Sequence, residues 1–242
     1  MKVAVINFSG NIGKTTVARD LLAPRIPGAE VVAVESLNAD DSEAQALRGR
    51  QFGELQEYMH TVDSAVVDIG ASNVEDLLGL MQRYQGSHED FDCFIVPTVG
   101  PVKQQHDTVT TLVELSRLGV RPERIRLLFN MVDDARTLHL TFTPLLGFLA
   151  EQPIAGADPR CYVRTNEIYQ RLRGSGADLV ALAHDAADYK AEIARATSTE
   201  DKLTLAQKLA TQRLARGVVP ELDACFAALG LAKLTHAELP AA

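Results

Sequence analysis

The chain opens with residues 2–16, KVAVINFSGNIGKTT, and the interpretation of everything that follows depends on this stretch. Residues 2–8 are an apolar, β-branched run, which favours a buried strand. A glycine-containing loop comes next and ends in Lys14, Thr15 and Thr16, and residues 17–22 favour a helix. A strand, a small-residue loop and a helix in this order, with Lys-Thr-Thr where the helix begins, predict a phosphate-binding loop.

The residue types in this loop suit the binding of phosphate and Mg²⁺. Gly10 and Gly13 are predicted to supply the backbone angles and the close approach that let N–H groups turn towards phosphate oxygens. The following helix points its positive end at the same anion. Lys14 is predicted to reach the β- and γ-phosphates, and the Thr15 hydroxyl to hold Mg²⁺. The alternative is an ordinary strand-to-helix turn with a surface lysine. The other predicted nucleotide-binding positions of the loop are Ser9, Asn11, Ile12 and Thr16.

The loop resembles a variant phosphate-binding motif more closely than the strict one. The strict pattern requires glycine five positions before Gly13, where this chain has Phe8. The loop is similar instead to Lys-Gly-Gly-x-Gly-Lys-Thr-Thr, the motif of the ParA and MinD family of dimerising ATPases. It departs from that motif at Ser9, where the family has an extra lysine, and at Asn11, where it has glycine. Within the family the opening residues look most like plasmid stability proteins of the StbB type. The positions that match the ParA and MinD motif are Gly10, Gly13, Lys14, Thr15 and Thr16.

Length and composition predict an ordinary globular protein. A chain of 242 residues with 46% hydrophobic and 23% charged residues suits one α/β domain with a helical appendage. The net charge of −8 argues against a protein that coats nucleic acid. The three cysteines are far apart, so they predict no disulfide framework and no zinc site, and favour a reducing cytoplasm. We find no convincing signal peptide and no apolar stretch long enough to span a bilayer.

Strand and helix patterns alternate along the first half of the chain, which predicts an α/β fold. The expected architecture is a doubly wound, mostly parallel sheet with helices on both faces, as in P-loop NTPases. Ligands then lie at the carboxyl ends of the strands. Beyond Asn130 only helices are predicted, which suggests a ParA-like nucleotide-binding domain over 1–185 and a helical extension packed on it over 186–242. The predicted strands are 2–8, 31–34, 64–70, 91–97 and 125–129. The predicted helices are 17–22, 42–60, 74–84, 104–118, 143–150, 165–173, 177–196, 202–216 and 221–231.

Asp68 lies near the end of the strand predicted for residues 64–70. If this strand lies beside the first, the carboxylate can reach the Mg²⁺ shell next to Thr15, usually through water. The alternative is a helix-capping or loop aspartate. Asp68 is therefore the second predicted metal ligand, and residues 66–72 also resemble the family's second nucleotide motif.

Glu35 follows the second predicted strand, where the family has an aspartate that positions the attacking water. If Asn38 matches the asparagine of the family's Asp-Pro-x-Asn, Glu35 takes the catalytic place beside Lys14. If Glu35 matches the first residue of Asp-x-Asp, the place falls on Leu37, which cannot do the chemistry. The first register is favoured because it leaves a carboxylate at the site. A solvated glutamate at the end of a strand is the alternative, and Asp40 and Asp41 are reserve candidates.

Asn130 follows the fifth predicted strand. The family places an asparagine here against the purine base, and an amide can both donate to and accept from adenine. The spacing Asn-x-x-Asp, completed by Asp133, also occurs in GTPases, but Met131 replaces their usual lysine and so favours ATP. A turn asparagine is the alternative.

The resemblance also implies what Ser9 changes. The family's extra lysine crosses to the partner's nucleotide in a dimer, and Ser9 is too short and neutral to do so. Low basal ATPase activity and weak ATP-driven dimerisation are expected. Lys103 is one candidate for a replacement charge, the alternative being a solvated lysine where a helix starts.

The family resemblance implies a cytoplasmic ATPase, associated with the nucleoid in some cases, that acts in plasmid stability, DNA partition or conjugative transfer. Its implied cofactors are ATP and Mg²⁺. Its implied partners are a DNA-binding adaptor, a second copy of the chain in a nucleotide-dependent homodimer, and non-specifically bound DNA. Two other functions stay open: a metabolic ATP-dependent synthetase of similar fold, and a nucleotide-binding scaffold without hydrolysis. Weak DNA contact is suggested by a basic run that a solvated helix face would explain equally well, namely Lys202, Lys208, Arg213 and Arg216.

Overall fold

A single parallel sheet organises the protein. The computed structural model describes residues 1–34 and 41–234. In the described residues the strands are β1 (Lys2–Val5), β2 (Glu30–Val34), β3 (Ala65–Ile69), β4 (Cys93–Thr98), β5 (Ile125–Val132) and β6 (Tyr162–Arg164). They pair in the order β2-β3-β1-β4-β5-β6, and every pairing is parallel. The predicted fold class, a doubly wound α/β sheet of the P-loop NTPase type, is therefore confirmed.

Helices connect the strands and cover both faces of the sheet. The helix after β1 begins as α1 (Lys14–Thr16) and continues as a π-helix (Val17–Leu22). The other α-helices of the described residues are α2 (Asp41–Thr61), α3 (Val74–Arg83), α4 (Val102–Arg117), α5 (Leu138–Thr141), α6 (Thr143–Glu151), α7 (Ile168–Arg171), α8 (Leu179–His184), α9 (Tyr189–Arg195) and α10 (Thr199–Leu229).

Alternation along the strands divides the core into two clusters. In β1, Val3 and Val5 pack with the π-helix and α10, whereas Ala4 and the following Ile6 pack with α3, α4 and α6. Successive side chains of a strand point to opposite faces, so each strand supplies both clusters. The helix that follows the phosphate loop thus shares its face of the sheet with α10.

The second half of the chain differs from the sequence prediction. The strand predicted for 125–129 continues to Val132, and the sheet gains β6, which is only three residues long and so has no detectable period. The helix predicted for 177–196 is two helices, α8 and α9. The linker between them is fixed by Gln212 of α10, whose side-chain amide donates to the carbonyl of Asp185 at 2.9 Å.

The two helices predicted for 202–216 and 221–231 are one helix, α10, with Pro220 inside it. Proline removes one helical N–H and usually ends or kinks a helix. Here the burial of Val218, Val219 and Leu222 against the sheet holds the two halves in one rod. Among the described residues, no helix is both long and apolar enough to cross a membrane.

Candidate functional site

The phosphate loop begins where β1 ends and has the backbone shape that the motif predicts, but not at the predicted glycines alone. Gly13 adopts a left-handed conformation with φ of 81°, and Asn11 does so with φ of 56°. Gly10 does not have a positive φ, and among the described residues a Cβ there would meet only the Ala71 side chain, at 4.0 Å. Gly10 therefore does not supply a left-handed backbone angle to the loop. Asparagine tolerates the left-handed region better than most residues, which explains Asn11 at this position.

Lys14 is held in the loop by backbone carbonyls. Its ammonium donates to the carbonyl of Asn7 at 3.0 Å and to that of Ser9 at 2.6 Å, and the residue is 8% exposed. Burial lowers the pKa of Lys14 to about 8, and the nearby Asp68 carboxylate opposes that shift. The described hydrogen-bond partners of this buried ammonium are neutral carbonyls, so its positive charge attracts an anion.

Thr15 and Asp68 lie together at the carboxyl edge of the sheet. The Thr15 hydroxyl donates to the Asp68 carboxylate at 2.6 Å, and β1 and β3 are neighbours with Val5 opposite Asp68. Asp68 has the same strand parity as Val66, which packs beside the π-helix, so its side chain points to the helix that carries Thr15. The structure thus brings the two predicted metal ligands together. A hydroxyl and a carboxylate are the hard oxygen donors that suit Mg²⁺.

Asn130 lies against the phosphate loop. Its side-chain amide donates to the Ile12 carbonyl at 2.7 Å, its carbonyl oxygen accepts from the Met131 N–H at 2.9 Å, and it is 4% exposed. Leu128, two positions earlier in the same strand, packs beside the π-helix. Because residues two apart in a strand point to the same face, the Asn130 side chain also points towards the π-helix and the loop before it. One amide proton and one lone pair remain for another partner. The role of Asn130 at a purine base stays a prediction.

The remaining predicted positions occupy different environments. Ser9 is buried and Thr16 is half-buried where α1 meets the π-helix. Lys103 is 81% exposed, and its ammonium lies 3.3 Å from Asp107 one turn along α4. Glu35 and its reserve candidate Asp40 lie outside the described residues, and Asp41 begins α2.

Sequence reasoning missed a polar cluster beneath the loop. Asn7 is fully buried, and its side-chain amide donates to the Pro97 carbonyl at 2.8 Å and to the Thr108 hydroxyl at 2.9 Å. The Thr111 hydroxyl, also on α4, accepts from the Phe8 N–H at 3.1 Å. A signal was present, because Asn7 is the polar residue that closes an apolar strand run. The two threonines lie three positions apart and so share one helix face.

These groups fit a magnesium nucleotide. Lys14 and the loop N–H groups would hold phosphate oxygens, while Thr15 and Asp68 would hold the metal ion. When bound, the metal would neutralise charge on the phosphates. In the described part of the chain, no group of three or more histidine, cysteine, aspartate or glutamate side chains forms another metal cluster. All three cysteines are buried and free.

The parallel sheet and the glycine-containing loop after β1 together show the α/β fold of P-loop NTPases. No family model and no curated protein sequence matches the chain. Among solved structures, it is similar to the MinD cell division protein of Aquifex aeolicus, with a TM-score of 0.50 and 11% identity over 86% of this chain and 96% of that one. It is also similar to a chain of the MinC:MinD cell division protein complex of the same organism, with a TM-score of 0.51 and 10% identity over 100% of this chain and 98% of that one. At these identities the likeness concerns the fold.

Proposed function

We propose that this chain is a ParA-like protein that binds Mg·ATP and hydrolyses it slowly when alone. The observation that carries the proposal is the joint placement of Lys14, Thr15 and Asp68 at one edge of a MinD-like sheet. The lysine is buried against loop carbonyls, and the hydroxyl and carboxylate are 2.6 Å apart. This arrangement provides a phosphate cradle and a metal site next to each other, as ATP hydrolysis requires.

Hydrolysis also needs a group that orients water, and we propose Glu35 for this role. β2 ends at Val34, whose register partner is Ile69, the residue after Asp68. Glu35 is thus the next residue in sequence after a strand that ends beside the proposed metal site. Replacing a positioning group of this kind slows turnover about a hundredfold or more while leaving affinity intact. Glu35→Ala should therefore keep Mg·ATP affinity and lose turnover.

The proposed cellular role is plasmid stability, DNA partition or conjugative transfer, together with a DNA-binding adaptor. The support is the StbB-like opening sequence. The solved complex of MinD with MinC shows that a protein of this fold assembles with a protein partner. We further propose weak direct DNA contact through α10, where Lys202, Lys208 and Arg213 are exposed. Arg216 is less available, because its guanidinium donates to the carbonyls of Ala183 and Asp185.

A second candidate, a nucleotide-binding scaffold without hydrolysis, is favoured by one observation. Ser9 is 3% exposed, and both its N–H and its carbonyl are bonded within the loop. A neutral, buried side chain cannot neutralise phosphate charge across a dimer interface. Lys103 points its charge to Asp107 on its own helix.

ATP turnover separates the candidates. Wild type, Ser9→Lys and Glu35→Ala should be assayed alone, with plasmid DNA and with a candidate adaptor, and sedimentation with Mg·ATP should be run in parallel. An ATPase gives low basal turnover that DNA or the adaptor raises and Glu35→Ala removes. A scaffold binds Mg·ATP but gives no turnover under any condition. A synthetase turns over only when a small carboxylate is added.

A further inference from the structure

The phosphate loop is fastened to α4 through the buried side chain of Asn7. The carbonyl oxygen of this side chain accepts from the Ser9 N–H at 2.8 Å, which closes a tight turn at the start of the loop. That turn directs the carbonyls of Asn7 and Ser9 to the same point, where both accept hydrogen bonds from the Lys14 ammonium. The orientation of Asn7 therefore sets the position of Lys14.

Two threonine hydroxyls of α4 determine how Asn7 and its neighbour lie. The Thr108 hydroxyl donates to the Gln104 carbonyl at 2.7 Å, and its lone pairs can then accept from the Asn7 amide. The Thr111 hydroxyl donates to the Asp107 carbonyl at 2.8 Å and accepts from the Phe8 N–H. Both threonines have no exposed surface. A hydroxyl is required at each position, because a methyl group of the same size cannot accept a hydrogen bond.

Threonine at these positions lowers the helix propensity of α4, and apolar packing alone does not explain its presence there. β-Branched, hydroxylated residues are poor helix formers, and both side chains are buried inside α4. Buried polar groups are tolerated where their bonds are complete, and a complete network fixes one geometry. The face of α4 that meets the sheet is thus polar at the point where it meets the start of the phosphate loop.

We infer that Asn7, Thr108 and Thr111 are positioning residues that hold the start of the phosphate loop in its phosphate-binding geometry and couple it to α4. The inference rests on the proposed function, since it concerns the same nucleotide site. Without the Thr111 hydroxyl, the partly buried Phe8 N–H loses its acceptor among the described residues, and the loop rearranges to satisfy it. Only the fraction of molecules that keeps the original geometry then binds nucleotide, so the apparent affinity falls.

The test measures the Mg·ATP affinity of threonine variants of α4 by calorimetry. Urea unfolding shows whether each variant is folded. Thr111→Val should weaken Mg·ATP binding about tenfold, the loss expected when a partly buried donor loses its partner. Thr111→Ser keeps the hydroxyl and should bind within about twofold of wild type. Thr110→Val is the matched control, because the exposed Thr110 hydroxyl bonds only to the His106 carbonyl of its own helix in the described contacts. It should also bind like wild type.

Three results would overturn the inference. Equal affinity in wild type and Thr111→Val would show that the hydroxyl does not position the loop, and so would a Thr111→Ser affinity as weak as that of Thr111→Val. Should Thr111→Val not fold, Thr108→Val takes its place, and wild-type affinity in that variant contradicts the coupling. Absence of Mg·ATP binding by the wild type is a separate outcome, which contradicts the proposed function itself.

Discussion

Gly13→Ala is the substitution for which the structure gives the clearest estimate of the loss in unfolding free energy. An alanine Cβ there would lie 2.4 Å from the Asn130 side-chain nitrogen and 3.6 Å from the Met131 methyl carbon. The residue also has φ of 81°, which costs an L-residue about 1–2 kcal/mol. Relief of the clash moves the Asn130 amide away from the Ile12 carbonyl, and a disrupted buried hydrogen bond costs about 1–3 kcal/mol. The free energy of unfolding should therefore fall by about 2–5 kcal/mol.

Gly10→Ala is the matched control in the same loop. Gly10 has no positive φ, and within the described part of the chain the nearest atom to an added Cβ is 4.0 Å away. Its unfolding free energy should stay within about 0.5 kcal/mol of wild type. Urea unfolding followed by circular dichroism measures both variants. A loss in Gly13→Ala no larger than in Gly10→Ala would refute the reasoning.

A double-mutant cycle identifies the cause of the Gly13→Ala loss. In an Asn130→Ala background the added Cβ no longer meets an amide nitrogen, so the loss should shrink towards the backbone cost of about 1–2 kcal/mol. Strict additivity of the two substitutions would show that the Asn130 contact does not contribute.

Three further predictions concern the same site. Asn130→Ala alone should lower the unfolding free energy by about 1–3 kcal/mol in urea titrations, because the Ile12 carbonyl and the Met131 N–H lose their partner; an unchanged value would contradict this. Asp68→Asn should reduce the gain in ATP affinity that Mg²⁺ provides, by about tenfold in calorimetry with and without the metal, since a neutral amide is a poorer Mg²⁺ ligand; an undiminished gain would argue against the metal site. Because the pKa of Lys14 is about 8, its charged fraction falls as pH rises through 8. Mg·ATP affinity should fall from pH 7 to pH 9, and binding at pH 8 should take up about half a proton, visible as buffer-dependent enthalpy; a flat profile would contradict the assignment.

The first half of the chain was predictable because its signals are local. Five strand patterns and the glycine loop each depend on a few consecutive residues, and the parallel order follows from the alternation of strands and helices. The meeting of Thr15 and Asp68 was predictable for the same reason, since both follow from neighbouring strands ending at one edge. The second half was less predictable. β6 is short and owes its place to pairing with β5, and α10 stays continuous through Pro220 because the sheet holds it.

Within the site, the sequence indicates residue types better than it indicates partners. The role of Asn130 at a purine stays a prediction, whereas the contact of its amide with the Ile12 carbonyl is one that the sequence does not indicate. The left-handed angle at Asn11 was not foreseen, because the family resemblance directs attention to the glycines. Asn7 was missed because its partners, Thr108 and Thr111, are about a hundred residues away, and only the folded chain brings them together.

Calorimetric titration of the wild-type protein with Mg·ATP at neutral pH, beside Lys14→Ala, tests the central claim most directly. Wild type should bind, and Lys14→Ala should lose about a hundredfold or more in affinity, since a buried cation bonded to phosphate is a strong charge-assisted contact. Lys14→Ala should stay folded by circular dichroism, because burial lowers the pKa of Lys14 and its charge therefore works against folding at neutral pH. Equal affinity of a folded Lys14→Ala, or no binding by the wild type, would contradict the account.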